Sequence, residues 1–381
     1  MSGSAVLLLT IFATLMGISH AFEVTTNTID IRCNTELSSS LTRRQGGISF
    51  LALMPRATHL YSTSVKLGDQ TFELLVDTGS ADTWVKTTSP PSSFHEIPDT
   101  FFSLNYGGQS VAEATGTWGK IDVTIGGIAV HDQVMGIANH SISADGILGL
   151  AYPGFVSMRS AINGRFIDYD PIFTRMIKDE YISAGILSLA LEADSTGKMG
   201  FGGVPSGIKH EDNWFHTPLL SGKERASRPG MSPWYNISLS YSFPGAENVE
   251  GSRGQPSNTF FTIVDSGAPW ETIPLSVLKA LGAAFKPQAT IVDTARAGNM
   301  VLGFDCDATV PEFGYVIGGQ TFKWKKEDWT TEANGVCTSR IVGSSLEWPN
   351  PVGIVAGGGF LQKVLAVFDV ENEEIWFSPR S

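Results

Sequence analysis

The chain carries one short motif twice, and each copy places an aspartate between an apolar strand and a glycine. The copies read Leu-Val-Asp-Thr-Gly-Ser at residues 75–80 and Ile-Val-Asp-Ser-Gly-Ala at residues 263–268, separated by about half of the chain. This separation is typical of a two-lobed molecule in which Asp77 and Asp265 meet between the lobes. Two carboxylates held close together cannot both ionise easily, so they share a proton and can act as acid and base at once.

Short apolar or alternating runs, broken by glycine and proline, predict an all-β protein. Examples are residues 72–76, 120–125, 186–191, 234–241 and 364–370. The 41 glycines favour the same class, because many hairpins and tight turns need a positive φ. Helical periodicity is confined to two short segments, which begin just after Pro171 and Pro274.

The length of 381 residues, with 42% apolar and 17% charged residues, is sufficient for two folded lobes. We expect an N-terminal lobe over residues 45–220 and a C-terminal lobe over residues 221–381. The polar segment 221–233 marks the boundary in this interpretation, although a long hairpin loop inside one lobe explains it equally well. Residues 145–150 and 354–358 add a second internal repeat, an apolar strand that ends in glycine.

The N-terminal region has the features of a secreted precursor. Residues 1–21 are predicted to be a signal peptide, with a buried N-terminal helix as the alternative. Residues 22–44 are predicted to be a propeptide that ends in the dibasic pair Arg43-Arg44, with an ordinary exposed basic pair as the alternative. These features predict a secreted, monomeric protein without a membrane anchor, and a vacuolar location is the alternative.

The formal net charge of −12 disfavours nucleic acid and anionic membrane surfaces as partners. The three cysteines are an odd number for a secreted protein. Since Cys33 lies upstream of the dibasic pair, we expect a single disulfide between Cys306 and Cys337. Glycosylation sequons begin at Asn139 and Asn236, and each can carry a glycan only where it is exposed. Because Asn236 lies in a predicted strand, Asn139 is the favoured site.

The motifs, in their order along the chain, resemble those of the pepsin-like aspartic proteases from about Tyr61 to Pro379. The matching segments are the first aspartate loop with its tryptophan (77–85), a tyrosine hairpin (105–110), residues 144–153, the second aspartate loop, the paired cysteines and the closing strand (367–369). A lone Asp-Thr-Gly would be a weak signal, whereas this ordered set is specific. The resemblance implies a bilobal all-β fold with two barrel-like lobes, a cleft between them and a few short helices. The short prosegment with its dibasic pair resembles those of secreted fungal members.

The resemblance also implies an endopeptidase that cuts protein or peptide substrates at acidic pH without a cofactor or a metal. Asp77 and Asp265 would hold one water between them, with one carboxylate removing its proton and the other protonating the scissile carbonyl. The residues expected to support the two loops are Thr78, Gly79, Ser80, Ser266 and Gly267. In this interpretation the hydroxyls would bond to backbone across the lobe interface, and the glycines would let amide groups approach the carboxylates.

The two aspartate loops differ at one position that bears on the shared proton. Ser80 offers a hydroxyl to Asp77, whereas Ala268 offers none to Asp265. A hydrogen bond to the ionised form of a carboxyl lowers its pKa. We therefore expect Asp265 to be the more readily protonated partner, and activity to persist to milder acidity than in relatives with both hydroxyls.

The tyrosine hairpin is expected to close over the substrate. Tyr106, Gly107 and Gly108 belong to this hairpin, and Trp84 is expected to support the tyrosine ring, with plain aromatic core as the alternative. Fungal relatives that accept lysine next to the cut carry an aspartate where this chain has Gly108. We therefore expect a preference for bulky apolar residues on both sides of the bond.

One rival from another functional class stays open, namely a pepsin-fold protein that binds or inhibits other proteins without cutting them. The departures from the family pattern that favour it are Ala268-Pro269, Gln109 and Gly358. Motifs of other hydrolases, such as His-Glu-x-x-His and Gly-x-Ser-x-Gly, are not found in the sequence. The seven histidines are scattered, so the sequence predicts no metal site.

Overall fold

The structure is a computed structural model. It describes residues 22–25, 27–33, 59–106, 114–141, 144–152, 156–193, 196–211, 213–220, 234–294, 298–333, 335–345 and 354–380. Four sequence predictions lie outside these residues: the signal peptide 1–21, the dibasic pair Arg43-Arg44, the glycine pair at 107–108 and the boundary segment 221–233.

Short strands dominate both halves of the chain, as the alternating pattern predicts. The strands of the first half are β1 (Val24–Thr25), β2 (Thr28–Cys33), β3 (Tyr61–Leu67), β4 (Gln70–Asp77), β5 (Trp84–Lys86), β6 (His95–Glu96), β7 (Thr100–Leu104), β8 (Ala114–Ile125), β9 (Ile128–Ser141), β10 (Gly146–Gly149), β11 (Arg159–Ser160), β12 (Ile186–Leu191), β13 (Thr196–Phe201), β14 (Val204–Pro205) and β15 (Phe215–Pro218).

The second half adds further strands of similar length. They are β16 (Asn236–Ser242), β17 (Phe260–Val264), β18 (Thr272–Pro274), β19 (Thr290–Asp293), β20 (Asn299–Phe304), β21 (Phe313–Ile317), β22 (Gln320–Trp324), β23 (Thr330–Ala333), β24 (Val336–Ser339), β25 (Val342–Ser344), β26 (Val355–Ala356), β27 (Val364–Asp369) and β28 (Glu374–Pro379). The all-β prediction is confirmed.

Helices are few and short in the described part of the chain. They are α1 (Ile172–Lys178), α2 (Leu275–Ala283), α3 (Lys326–Trp329), α4 (Gly358–Leu361) and a 3₁₀ turn (Ala246–Asn248). Helices α1 and α2 begin directly after Pro171 and Pro274, as predicted, and each buries one apolar face. Among the described residues, none of these helices has the length and apolar character that a bilayer span requires.

The strands form two large sheets. A 15-stranded sheet has the order β11-β7-β8-β9-β5-β10-β4-β3-β2-β13-β12-β27-β28-β15, with β6 paired to β8. An 11-stranded sheet has the order β22-β21-β16-β17-β26-β18-β25-β20-β24-β23, with β19 paired to β20. Each sheet contains one parallel pair at the aspartate motif, β4 with β10 and β17 with β26. The duplicated motifs therefore have equivalent positions in the two sheets.

The larger sheet also takes strands from both ends of the chain. Strands β27 and β28 come from the predicted C-terminal lobe, yet β27 pairs with β12 from Ile186 to Ala190. The core is continuous across this junction, because one cluster of buried apolar side chains includes Leu189 of β12 and Phe368 of β27. A boundary near residue 220 therefore divides the chain but not the hydrogen-bonded sheet.

Part of the predicted propeptide is an internal strand of this sheet. Strand β2 pairs with β13 over five residues and with β3 over two, and the side chains of Ile29 and Ile31 are buried. Burial of two isoleucines and pairing on both edges favour retention of residues 22–33 in the folded protein. Cleavage after Arg44 stays a prediction.

The predicted disulfide is present. Cys306 and Cys337 are bonded, with their Cα atoms 5.2 Å apart, and they join the end of β20 to β24. The sequence separation is 31 residues. Closing a loop of that size contributes about 3 to 4 kcal/mol in the chain-entropy description.

Replacing Ile31 tests the structural role of strand β2. Ile31→Ala is expected to lower the free energy of unfolding by about 2 to 4 kcal/mol, because it removes buried methyl groups from a well-packed sheet. Thermal and urea unfolding of the purified protein measure this change, and Asp30→Ala, an exposed neighbour on the same strand, is the control. An unchanged stability, together with an N-terminal sequence that starts after Cys33, would show that the strand is removed.

Candidate active site

Both aspartates lie at the end of a buried strand that has a parallel neighbour. Asp77 is the last residue of β4, it is only 5% exposed, and it pairs in register with Gly149 of β10. Asp265 directly follows β17, and its backbone N–H donates to the carbonyl of Ala356 at 3.0 Å. Asp265 is partly exposed as a residue, while its carboxyl group is enclosed. The two carboxyl groups therefore have equivalent positions at the ends of β4 and β17.

The two aspartate loops are joined by reciprocal hydrogen bonds. The backbone N–H of Thr78 donates to Ser266 Oγ at 3.1 Å, and the N–H of Ser266 donates to Thr78 Oγ1 at 2.9 Å. Each hydroxyl also donates to a carbonyl of the opposite half, Thr78 to Val264 at 3.0 Å and Ser266 to Val76 at 2.8 Å. All these groups are buried, so each loop depends on the other to satisfy its backbone.

The glycines of the two motifs bring the carboxyls into one site. A Cβ atom on Gly79 would lie 2.4 Å from Cγ of Asp265, and one on Gly267 would lie 2.4 Å from Cγ of Asp77. Each carboxyl therefore packs directly against the glycine of the other loop, where only glycine fits. Each glycine N–H also donates to the aspartate of its own loop, at 2.8 Å for Asp77 and 2.7 Å for Asp265.

The shared site raises the pKa of both carboxyls, although unequally. Burial raises the pKa of Asp77, and the Ser80 hydroxyl opposes this by donating to Asp77 Oδ2 at 2.6 Å. Burial raises the pKa of Asp265 well above its usual range, and the negative charge of Asp77 raises it further. No hydroxyl is available at Ala268 to oppose the shift. Because the two groups are coupled, they hold one proton as a pair, and the Ser80 hydroxyl favours the ionised form of Asp77.

The predicted aromatic pair, Trp84 and Tyr106, forms a hydrogen-bonded stack. The indole Nε1 of Trp84 donates to the hydroxyl of Tyr106 at 2.6 Å, and the two rings are stacked at an angle of 25° with centroids 6.4 Å apart. Trp84 is fully buried, whereas Tyr106 is partly exposed. Tyr106 lies just beyond β7, and Gly107 and Gly108 lie outside the described residues.

Three contacts near the first aspartate loop were not predicted from the sequence. The indole of Trp234 donates to the carbonyl of Gly79 at 2.8 Å, across 155 residues of chain. The buried carboxylate of Asp82 accepts from the Tyr169 hydroxyl at 2.5 Å and from the Ser157 N–H at 3.0 Å. Burial raises the pKa of Asp82. The aspartate three residues after Gly79 was the one available signal.

The two sequons differ in exposure. Asn139 is exposed on strand β9, and its glycosylation stays a prediction. Asn236 is completely buried at the start of β16, next to Ile263 of β17. The folded protein leaves no room for a glycan at Asn236, so this sequon lacks the exposure that glycosylation requires.

The arrangement provides a buried pair of coupled carboxyls that compete for one proton. An anionic carboxylate can take a proton from a water, and a neutral carboxyl can give one to a carbonyl oxygen. Both groups are held by backbone donors, so little reorganisation is needed during a proton transfer.

Comparison with known proteins agrees with this geometry. The model of the eukaryotic aspartyl protease family matches residues 60–380. A probable aspartic-type endopeptidase of Aspergillus fumigatus is 28% identical, over 84% of this chain and 78% of its own length. Vacuolar protease A of Neurospora crassa is 26% identical, over 83% of this chain and 77% of its own length. The crystal structure of an aspartic proteinase from Irpex lacteus matches with a TM-score of 0.68 at 19% identity, over 93% of this chain and 98% of that one. The predicted bilobal fold is confirmed.

A double-mutant cycle tests the coupling of the two loops. Thr78→Val and Ser266→Ala are each expected to lower the free energy of unfolding by about 1 to 3 kcal/mol, because each leaves a buried N–H group without its acceptor. The two effects should deviate from additivity by about 0.5 kcal/mol or more, since the residues share one network.

The control for this cycle is Thr63→Val, which removes a buried hydroxyl that donates to the Asp30 carbonyl at 3.0 Å. Its effect should simply add to that of Ser266→Ala. Urea unfolding monitored by fluorescence measures all variants, and strict additivity of Thr78→Val with Ser266→Ala would contradict the reciprocal network.

Proposed function

This chain belongs to the eukaryotic aspartyl protease family and is an aspartic endopeptidase, and we propose that Asp77 and Asp265 are the pair with which it hydrolyses peptide bonds at acidic pH. The observation that carries the proposal is the packing of each carboxyl against the glycine of the opposite loop. That contact places two titratable groups in one enclosed site, where they compete for a proton.

Peptide hydrolysis needs a nucleophilic water, a proton for the leaving amine and stabilisation of the oxygen that gains negative charge. In our proposal the Asp77 carboxylate removes a proton from water as the water oxygen bonds to the scissile carbonyl carbon. The Asp265 carboxyl gives its proton to the carbonyl oxygen, which yields a neutral gem-diol.

The second step reverses the direction of both proton transfers. Asp265, now ionised, takes a proton back from the diol, while Asp77, now protonated, gives one to the amide nitrogen as the C–N bond breaks. Acid and amine products leave, and the pair returns to its starting protonation state. No covalent intermediate with the protein forms.

The finer properties of the enzyme belong to the same proposal. Tyr106 closes over the substrate and excludes water, and its bond to the buried Trp84 supports the ring in that position. Without a carboxylate at Gly108, we expect bulky apolar residues on both sides of the cut. We also propose that the protein is a secreted, monomeric precursor. The predicted signal peptide and dibasic pair support secretion, and the vacuolar relative keeps the vacuole as the alternative location.

Neutral replacement of either aspartate tests the catalytic pair. Asp77→Asn and Asp265→Asn are each expected to lower kcat by more than about 100-fold at acidic pH, because each removes one of the two proton-transfer groups. Cleavage of haemoglobin and of a peptide library at pH 3 to 6, with and without a statine-type inhibitor, measures both rate and preference. Asp69→Asn, an exposed aspartate in the turn before β4, is the control and should keep full activity.

Full proteolytic activity of Asp265→Asn would contradict the catalytic role of the pair. Efficient cleavage after lysine in the peptide library would contradict the predicted preference for apolar residues. A wild-type protein that binds peptides tightly but leaves them intact would instead favour the non-catalytic binding protein.

A hydroxyl at residue 268 tests how the two carboxyls divide the proton. Ala268→Thr is expected to move the alkaline limb of the pH–rate profile down by about 0.5 to 1 pH unit, because a hydrogen bond to ionised Asp265 lowers the pKa of the pair. Ala268→Val has the same shape without the hydroxyl and serves as the control. A limb that stays in place for threonine, or moves equally for valine, would rule out this assignment.

A further inference from the structure

The second aspartate loop contains a buried acid to which the proposed mechanism gives no role. Glu271 lies six residues after Asp265 and is only 5% exposed. Its counterpart by position is Thr83, which lies six residues after Asp77 and is also buried. A charged residue type thus stands where the first half of the chain has a neutral hydroxyl.

In the first half, the hydroxyl ties the aspartate loop to the neighbouring strand. Thr83 Oγ1 accepts the backbone N–H of Gly149 at 3.1 Å. Gly149 ends β10 and pairs in register with Asp77. The bond therefore connects the far end of the loop to the strand that lies beside its aspartate.

In the second half, the carboxyl of Glu271 makes the equivalent connection and extends it. Oε2 accepts the N–H of Gly357 at 3.0 Å and the hydroxyl of Tyr315 at 2.9 Å, while Oε1 accepts the N–H of Phe360 at 2.8 Å. Gly357 directly follows β26, as Gly149 ends β10. A Cβ atom on Gly359 would lie 2.9 Å from Oε1, so the turn into α4 is closely wrapped around the carboxyl.

The turn held by Glu271 is itself bonded to Asp265 and to its loop. The carbonyl of Ala356, one residue before Gly357, accepts the N–H of Asp265 at 3.0 Å. The N–H of Gly358 donates to the carbonyl of Ala268 at 2.8 Å. Movement of this turn therefore moves the backbone on which the Asp265 carboxyl is mounted.

We propose that Glu271 is a positioning residue for Asp265, which fixes the second aspartate loop by holding the turn between β26 and α4 through both of its carboxyl oxygens. The inference rests on the proposed function, because it assigns Asp265 to the reaction. Glu271 acts through Gly357 and Phe360 and does not touch the substrate. Thr83 has the same role for Asp77, but it accepts one hydrogen bond where Glu271 accepts three.

The environment of Glu271 makes this connection dependent on pH. Burial raises its pKa to about 7, and the hydrogen bonds from Gly357, Phe360 and Tyr315 only partly oppose that shift. The hydroxyls of Tyr315 and Tyr241 face it and stay neutral, because burial and the Glu271 charge raise the pKa of both. Asp328 and Arg340 line a small cavity beside Glu271, and Lys363 pairs with Asp328 at 2.6 Å. His59 packs against the turn at Gly358, and burial lowers its pKa to about 4.

Because the pKa of Glu271 is higher in the folded than in the unfolded chain, folding favours its protonated form. This contribution to stability is complete below the unfolded pKa of about 4.5 and is lost as the pH rises towards 7. Protonated Glu271 keeps its acceptor oxygens and can donate to the Tyr315 oxygen, so the connection is intact in the acidic range where the pair works.

The pair Glu271→Thr and Glu271→Val tests the positioning role. The two side chains have nearly the same shape, but only threonine can accept the N–H of Gly357, as Thr83 accepts that of Gly149. We expect kcat of the valine variant to be about 10-fold below that of the threonine variant, which corresponds to one hydrogen bond to the backbone. KM should stay within about two-fold, because the residue acts on Asp265 and not on substrate binding.

The control is Glu312→Gln, which replaces the carboxyl group of an exposed glutamate paired with Lys323 by an amide. This control should leave kcat unaffected. Glu271→Gln provides a second measurement that needs no catalysis. Its Tm should fall less than the wild-type Tm between pH 4.5 and 7, because the titrating group is gone. If the threonine and valine variants fail to fold, an unchanged kcat of Glu271→Gln would overturn the positioning role, because the amide leaves one of the two N–H groups without an acceptor.

Equal kcat values for folded threonine and valine variants would overturn the positioning role, and parallel Tm curves for wild type and Glu271→Gln would overturn its dependence on pH. An inactive Asp265→Asn measured alongside would show that the proposed function still stands in that case. An active Asp265→Asn would instead remove the proposed function, while the Tm comparison would continue to report on Glu271.

Discussion

The reciprocal contact between the two aspartate loops is the constraint on which the site depends. Neither loop satisfies its own backbone, since the N–H of Thr78 and that of Ser266 each need the hydroxyl of the other loop. The same approach presses each carboxyl onto the opposite glycine. Burial, proximity and competition for one proton all follow from this contact. The chemistry is therefore a property of the interface between the halves and of neither half alone.

The two halves repeat a geometry but not its chemistry. Ser80 donates to Asp77, and the equivalent Ala268 cannot donate to Asp265. A neutral hydroxyl at Thr83 is replaced by a buried carboxyl at Glu271. The hydroxyl at Ser80, which has no counterpart at Ala268, favours the ionised form of Asp77. In the proposed mechanism, this asymmetry gives each cycle a defined starting state.

The sequence predicted the features that depend on local pattern or on repetition. The duplicated motif located the carboxyl pair, alternation gave β12 at residues 186–191 as observed, and cysteine position gave the disulfide. Contacts made by single side chains over long distances were not predictable, because nothing near Trp234 points to Gly79. Glu271 was missed for a related reason. A glutamate beside a turn is usually exposed, and only the folded turn after β26 supplies the donors that let it be buried.

The sheet order sets when the fold can be completed during synthesis. Strand β12 has β13 on one side and β27 on the other, and β2 from the start of the chain lies beyond β13. The ribosome releases β27 and β28 last, so the edge of β12 stays without its partner through the translation of more than 150 residues in between. Pairing over such a sequence distance is slow and exposes apolar strands to aggregation. A nascent chain of this kind therefore needs protection by chaperones until its final strands emerge.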